Sequence, residues 1–381
     1  MAMPSLFEDF FKSERSSGIV LIGCTLISLI LANSSAGGFY LDLWHSEVLC
    51  KPLDFWINDV LMTFFFLLVG LEIERELYAG ELSDLKKSLL PAICAIGGMM
   101  VPAAVHLAFN YGTPGQNGFG IPMATDIAFS LAVLSLLGKR IPVSIKIFLT
   151  ALAIIDDLGA ILIIACFYST GFSLTWFGMA LLLYALLFAM NRAKVYRIGL
   201  YLLIGSVMWI CLYRAGIHPT ITGVLVAFII PFAKKKEDCP SYRLQHLLHR
   251  PVAFLILPLF ALANTAILFP ASVPRLFVTP DSLGIMAGLV IGKPLGIFSF
   301  AMAGTALGLC SLPPGLKLRH IFWAGALAGI GFTMSIFISL LAFDDPYAIV
   351  QAKMAILIAS CMAGFAGYMG LRLSFRRNNK E

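Results

Sequence analysis

The feature that most constrains this chain is the recurrence of long apolar stretches. A helix crossing roughly 30 Å of hydrocarbon needs about 20 apolar residues. Twelve stretches qualify, near 18–33, 56–77, 88–109, 121–138, 144–168, 174–190, 199–215, 218–233, 251–269, 283–309, 320–342 and 349–371. Backbone polar groups in lipid must be paired inside a helix or around a closed barrel. Strand-like alternation is absent, so the spans read as helices. Hydrophobic residues make up 59% and charged residues 13% of the 381 positions, against roughly 45–50% and about 25% in ordinary globular chains. Mean hydropathy is +0.90, and the bias runs almost from end to end. The expectation is an all-α integral membrane protein, one transmembrane domain over residues 1–381, with no separate soluble domain. Such a composition excludes a disordered chain, a disulfide scaffold, a coiled coil and a nucleic-acid-binding module.

The net charge of +6 matters less than where the charge lies. With the N-terminus placed in the cytoplasm, 22 of the 27 Lys and Arg residues fall on that side and four (Lys51, Arg214, Arg275, Lys353) on the other, while Lys293 falls inside a span. Positive residues gather on the cytoplasmic face, so both termini are expected inside and the number of spans even. The first apolar stretch follows Lys12 without a small-residue cleavage pattern and reads as a retained helix rather than a signal peptide. The eight cysteines are scattered, with no CxxC pair and no His/Cys metal spacing, and read as packing thiols.

Two spans look interrupted. Residues 115–138 contain Gly118, Gly120, Pro122 and the polar pair Thr125 and Asp126, while 320–342 carries Gly325, Gly329, Gly331, Thr333 and Ser335. Paired interruptions in the two halves of a chain point to a transporter site. Spans three and ten each hold a proline after glycines (Gly97, Gly98 and Pro102; Gly292 and Pro294). This suggests an inverted repeat of spans three to five and ten to twelve, with ordinary kinked helices as the alternative.

A charge at the bilayer centre costs about 2.5–3.5 kcal/mol on insertion scales, so it needs a partner, a water-filled cavity or a task. Asp59, Asp126, Asp156, Asp157 and Lys293 all lie within apolar runs, the last four near the middle. Successive helical residues point about 100° apart, so Asp156 and Asp157 are expected to face different surroundings, one a cavity and the other a neighbouring helix. A hard cation such as sodium takes oxygen ligands, which Asp157, Asp126, Thr125 and the freed carbonyls of an interrupted helix can supply. A carboxyl group out of water also favours its neutral form and takes up protons near neutral pH. Cation and proton then compete for the same oxygens, which is the chemistry of an exchanger. Lys293 is a natural counter-charge; its alternatives are to carry a proton itself or to neutralise helix ends.

Other polar groups have plainer readings. Asp59 sits near a span entrance, as a hydrogen-bond partner for a neighbouring helix. His218 opens a helix as a cap, a packing residue or a pH-sensitive group. Glu72, Glu74, Arg75 and Glu76 end the second span; they meet Arg243, Gln245, His246 and His249 across a mouth if the fold joins those ends, and otherwise form a solvated charge run.

With residues 124–129 reading ATDIAF, 153–160 AIIDDLGA and 291–296 IGKPLG, the chain resembles the bacterial NhaA-type sodium/proton antiporters. The likeness extends through 64–72 (FFFLLVGLE), 146–149 (KIFL), 255–261 (LILPLFA) and 329–337 (GIGFTMSIF), and covers nearly the whole chain. Interrupted, repeated spans are themselves a known feature of that family, so they add no separate support. The resemblance implies twelve transmembrane helices with inverted repeats and two discontinuous helices crossing at the centre. It implies electrogenic exchange of cytoplasmic Na⁺ or Li⁺ for external H⁺ across the cell inner membrane, activation at alkaline pH, no cofactor, and a homodimer. The family's ion-binding aspartates, carriers of the transported Na⁺, fall on Asp156 and Asp157. Its broken-helix aspartate falls on Asp126 with Thr125 beside it, and its central lysine on Lys293. Its pH-responsive mouth falls on Glu72, Arg75, Glu76, Arg243, His246 and His249. Two departures stand out. Position 245 is Gln where relatives carry a carboxylate, which bears on the pH response. The loop 34–54 is shorter than the family's dimer hairpin, which bears on dimerisation by that device. The competing classes are a proton channel and a membrane enzyme; the latter lacks a GxGD aspartate, an HExxH motif and a DDxxD motif, whose last position is Ala160.

Overall fold

The computed structural model describes residues 5–80, 83–138, 141–169, 171–232, 239–269, 279–313 and 315–377. Of the basic residues weighed for orientation, Lys139, Arg140, residues 234–236, Arg275 and Lys380 lie outside the described residues, as do the side chains of Lys12, Arg15, Lys86, Lys87 and Arg377.

The protein is an all-helical membrane protein. Helix α1 (Ser5–Ala32) is followed by α2 (Gly37–His45), a two-stranded antiparallel hairpin (β1 Glu47–Val48, β2 Lys51–Pro52) and α3 (Leu53–Ala79). Next come α4 (Leu85–Asn110), the 3₁₀ segment α5 (Pro114–Met123), α6 (Ile127–Ser135), α7 (Val143–Phe167), α8 (Leu174–Arg192), α9 (Ile198–Ala215) and α10 (Ile221–Ala227). The chain closes with α11 (Pro240–Asn264), α12 (Pro280–Ala306), α13 (Leu318–Ala328), α14 (Phe332–Ala342) and α15 (Pro346–Arg377). Among the described residues eight helices are long and apolar enough to cross a membrane, or up to eleven if each bent pair is one span.

The stretch expected as a span over 218–233 is the main difference: it is helical only through the seven residues of α10. Hydrogen-bonded turns carry its path further, from Pro219 O (accepting from Thr222 N) to Ile230 N (donating to Val226 O). Pro219 and Pro231 bracket it, and a proline ends the regular ladder where its N–H is missing. A Cβ on Gly223 would lie 2.3 Å from Thr63 O, so α10 presses its backbone onto α3. The loop 34–54 also contains more order than its sequence suggested, since α2 turns 114° from α1 and the hairpin follows.

Both interruptions are real breaks in helix direction, 45° between α5 and α6 and 53° between α13 and α14. In the first, Ala124 and Asp126 adopt extended backbone angles and the Asp126 carboxylate accepts from Phe129 N at 2.9 Å, which caps α6. An Asp at this position satisfies a donor the helix start leaves unpaired. The two breaks touch. Asp126 N donates to Ile330 O at 2.7 Å, Ser130 Oγ to Leu327 O at 2.9 Å and Ser335 Oγ to Ile121 O at 2.7 Å. These bonds satisfy carbonyls that the broken helices leave open, as lipid-buried backbone requires.

Around the breaks sits the larger of two apolar clusters, while α8, α9 and α10 build a second one around Leu187, Tyr201 and Met208. Large side chains of α8 and α9 such as Leu182 (72% exposed) and Leu203 lie on the outer surface of the protein, as apolar groups facing lipid do. Helices α4 and α12 cross at backbone contact: a Cβ on Gly97 would lie 2.4 Å from Gly296 O, and one on Gly296 would lie 2.2 Å from Gly97 O. Small residues let membrane helices approach to backbone contact, where dispersion rather than water drives association. Gly296→Ala is therefore expected to lower stability by about 1–3 kcal/mol through overpacking. Thermal unfolding of detergent-solubilised protein tests this, and an unshifted transition would show that the crossing relaxes freely.

Candidate functional site

Asp156 and Asp157 sit in the middle of α7, where a continuous ladder of apolar neighbours holds the helix and leaves its two carboxylates buried. The 100° between them sends them to different partners. Asp156 Oδ2 meets Lys293 Nζ at 3.0 Å and accepts from Thr125 Oγ1 at 2.7 Å. Thr125 Oγ1 also lies 3.0 Å from Ala328 O, so its hydroxyl sits between one break and the other. Lys293, 0% exposed, reaches past Asp156 and donates to Met123 O, the last residue of α5. The ammonium thus serves the negative end of one half-helix.

Asp126 does the converse. Besides capping α6, its Oδ2 accepts from Thr333 N at 3.0 Å and Thr333 Oγ1 at 2.6 Å in the first turn of α14. One carboxylate therefore answers the positive ends of two half-helices, each equivalent to roughly half an elementary charge.

Asp157 has no such company. It is 1% exposed, and its Oδ1, like Oδ1 of Asp156, has no hydrogen-bond partner among the described residues. A buried polar atom without a partner costs about 1–3 kcal/mol, more when charged. Asp157 instead borders a cavity of about 50 Å³, shared with Asp126, Thr125, Thr333, Glu72 and His249. That volume holds a few waters at roughly 10–15 Å³ of probe-occupied space each. Lys293 faces Asp156 and the end of α5, two half-helix starts face Asp126, and Asp157 is left with neither an ion pair nor a capped helix, beside the cavity. Such a site accepts one monovalent cation or one proton, with oxygen ligands from the carboxylates, hydroxyls and water. Among the described residues no group of three or more His, Cys, Asp or Glu is arranged to hold a metal ion.

The cavity leads to the mouth formed by α3 and α11. Glu72 is hydrogen-bonded to Gln245 and lies in the field of Arg75 and Glu76. Ser241 Oγ donates to Glu74 Oε2 at 3.0 Å, and Arg75 Nη2 pairs with Glu76 Oε1 at 3.0 Å. His249 borders the same cavity as Glu72 and feels the charges of Arg75, His246 and Arg250. Arg243 and His246, by contrast, line a separate shallow depression with Tyr242 and Leu247. The fold thus joins the ends of α3 and α11 as a mouth; of its four α11 residues, Gln245 and His249 lie at Glu72 and the cavity, while Arg243 and His246 line the depression.

On the opposite side of the cluster, Asp59 Oδ1 lies 3.6 Å from His218 Nε2, and Asn264 bridges Asn58 Oδ1 (2.7 Å) and Lys353 Nζ (3.3 Å). The residues that sequence reasoning did not place in the site are Thr333, the Met123 carbonyl and Ser241. Thr333 carried a signal: it follows Gly331 in the second break as Thr125 and Asp126 follow Gly120 and Pro122 in the first. A backbone carbonyl carries none.

A family model described as Na⁺/H⁺ antiporter 1 matches residues 8–371. A curated protein called Na(+)/H(+) antiporter NhaA from Flavobacterium psychrophilum is 55% identical over 372 residues, covering 98% of this chain and 97% of its own. The protein of the same name from Dechloromonas aromatica is 54% identical over 379 residues, covering 98% of this chain and 97% of its own. Another from Escherichia coli is 48% identical over 379 residues, covering 96% and 98%.

Proposed function

The chain belongs to the Na⁺/H⁺ antiporter 1 family, and on that premise we propose that it exchanges cytoplasmic Na⁺ or Li⁺ for external H⁺ electrogenically, through Asp157 and Asp156, with activation at alkaline pH. It is a secondary transporter rather than an enzyme, using the transported ions and no cofactor. The observation that carries the reading is the unpartnered Asp157 oxygen beside a water-sized cavity, next to two aspartates whose charges are already answered.

In this reading a sodium ion entering past Glu72 and His249 replaces the protons held at Asp157 and its neighbour, and the broken helices re-aim the loaded site. An empty charged site is penalised in a low-dielectric interior, so the protein changes sides only when loaded. Electrogenic exchange moves more protons than cations per cycle, so a second titrating group is needed. The Asp156–Lys293 pair, 3.0 Å apart and adjacent to Asp157, is that group. The architecture belongs to the same proposal: twelve spans in the inner membrane, α10 and its turns included, with both termini cytoplasmic. The α4–α7 and α12–α15 segments are related as an inverted repeat, and the two broken pairs cross at Asp126. A homodimer is included too, with the hairpin as its contact: Leu49 at the tip is 80% exposed and Cys50 beside it is exposed. Oxidative cross-linking at Cys50 tests that part, with Cys50→Ser as control.

The deciding experiment is reconstitution of purified protein in sealed vesicles carrying a pH-sensitive dye. An imposed Na⁺ or Li⁺ gradient is expected to drive saturable proton movement that a membrane potential accelerates, and K⁺ is expected to drive none. Proton movement that ignores sodium would identify a channel, and potential-independent exchange would remove electrogenicity.

The pH response makes a separate prediction at Gln245. It is the hydrogen-bond partner of Glu72 at a mouth that also holds His249. Gln245→Glu adds negative charge there and favours the protonated state of the mouth, since opposite charge within about 4–6 Å stabilises an imidazolium. The activation midpoint of sodium-dependent proton exchange is expected to shift to higher pH. Superimposable profiles would mean that Glu72, Glu74 and Glu76 already dominate the local field, and would remove residue 245 from the response.

A further inference from the structure

A second polar cluster lies at the other end of the molecule from the Glu72 mouth, where α4 ends, α5 begins and α12 starts. His106 and Asn110 are both 0% exposed and stand four residues apart on α4, a spacing that puts them on one face. Asp281 joins them from the first turn of α12. His106 Nε2 lies 3.0 Å from Gly115 O. A ring nitrogen facing a carbonyl carries the proton, which leaves Nδ1 of the neutral ring as a lone pair. Asn110 donates its amide to His106 O (3.0 Å) and Pro280 O (3.1 Å), which turns its Oδ1 away from both.

Three atoms are left over. His106 Nδ1, Asn110 Oδ1 and Asp281 Oδ1 are buried and have no hydrogen-bond partner among the described residues. Two glycines let these groups approach the backbone closely. A Cβ on Gly115 would lie 1.5 Å from Asp281 Oδ1 and 2.8 Å from Asn110 Oδ1, and one on Gly284 would lie 2.8 Å from His106 Nδ1. His106 and Asp281 also lie within each other's electrostatic field. Nothing in the sodium site uses these groups.

We infer that His106, Asn110 and Asp281 form a binding site for a divalent transition cation of the zinc, cobalt or nickel class. All three free atoms are acceptors without a hydrogen-bond partner among the described residues, a set that a cation satisfies at once. An imidazole nitrogen with a carboxylate and an amide oxygen suits borderline divalent ions rather than Na⁺. Three protein ligands leave a coordination position for water, and Asp281 is part-exposed, which provides an entrance.

The location gives the ion a consequence that rests on the proposed antiport. Gly115 is near one end of α5, and Met123, bonded to Lys293, is the other end. An ion held between α4 and α12 at Gly115 clamps the outer end of the half-helix in the present arrangement, whose cavity reaches the Glu72 mouth. Metal added to that face is expected to slow exchange.

The test uses purified full-length protein titrated with Co²⁺ alone, read by its visible ligand-field absorption, then Zn²⁺ as competitor. One saturating Co²⁺ per chain is expected. His106→Gln and Asp281→Asn should each weaken it by about tenfold or more, as loss of groups in a metal site does, while metal-free exchange stays near wild type. Absence of a saturable band, or a band unchanged in both variants, overturns the site and leaves the cluster holding water or a proton. In vesicles, Zn²⁺ on the α4 C-terminal face should slow wild-type exchange and spare the variants; equal exchange with and without Zn²⁺ overturns the clamp. The absorption readout does not depend on transport, so a protein that binds Co²⁺ as described but exchanges nothing would refute the antiport reading and not the site.

Discussion

Asp157→Asn is expected to eliminate sodium-dependent proton exchange while the protein still inserts and folds. The substitution keeps shape and removes the one carboxylate whose charge the surrounding helices do not answer. An amide neither releases a proton nor offers a full negative charge to a cation, so exchange is expected to fall below detection in a vesicle assay. Stability should hold or rise, because an unpartnered buried carboxylate disappears. Near-normal exchange by a correctly inserted variant would sink the assignment of this residue.

Lys293→Ala is expected to have the largest effect on stability. The ammonium is fully buried between Asp156 Oδ2 and Met123 O, so truncation strands a carboxylate and a half-helix end together. The expected cost is about 3–5 kcal/mol, the typical price of breaking a buried pair. Lys293→Arg keeps the charge but presents a wider planar head, so it should keep part of both the stability and the transport. Thermal unfolding with exchange measurements on both variants checks this. An alanine variant that melts with wild type would remove the structural role, whatever its activity.

Much of the architecture was legible because lipid leaves the chain few options. Glycines, prolines and a Thr-Asp pair inside apolar runs announced the breaks at 124–126 and 329–331, since each weakens or caps a helix locally. The same logic identified Asp126, Asp156, Asp157 and Lys293 as anomalous. What stayed hidden is decided by tertiary contact. Residues 218–233 are apolar enough to read as a span, and the approach of Gly223 to the α3 backbone and the flanking prolines show why α10 is short. Residues 34–54 look like a plain connector because α2 and a hairpin with two residues per strand carry too few residues for a period. Which residues of α11 border the cavity depends on the rotation of that helix, which spacing along the chain does not fix: His249 borders it, and Arg243 and His246 line the depression beside it. His106 and Asp281 lie 175 positions apart, and each alone reads as an ordinary polar residue near a helix end.

The touching main chains at Gly97 and Gly296 have a mechanical consequence. Most helix pairs slide or roll by repacking the side chains between them, in small steps set by rotamers. Here the two backbones touch directly, with Phe300, Ile297 and Val101 packed closely beside them, so there is little gearing to shift, and α4 and α12 behave as a single strut. On this hypothesis the motion that exposes the ion to one side and then the other is carried by the half-helices pivoting about that strut. Spin labels at the matching ends of α4 and α12 should keep one separation throughout the cycle, with or without sodium, and a sodium-dependent change in that distance would transfer the hinge to the strut itself.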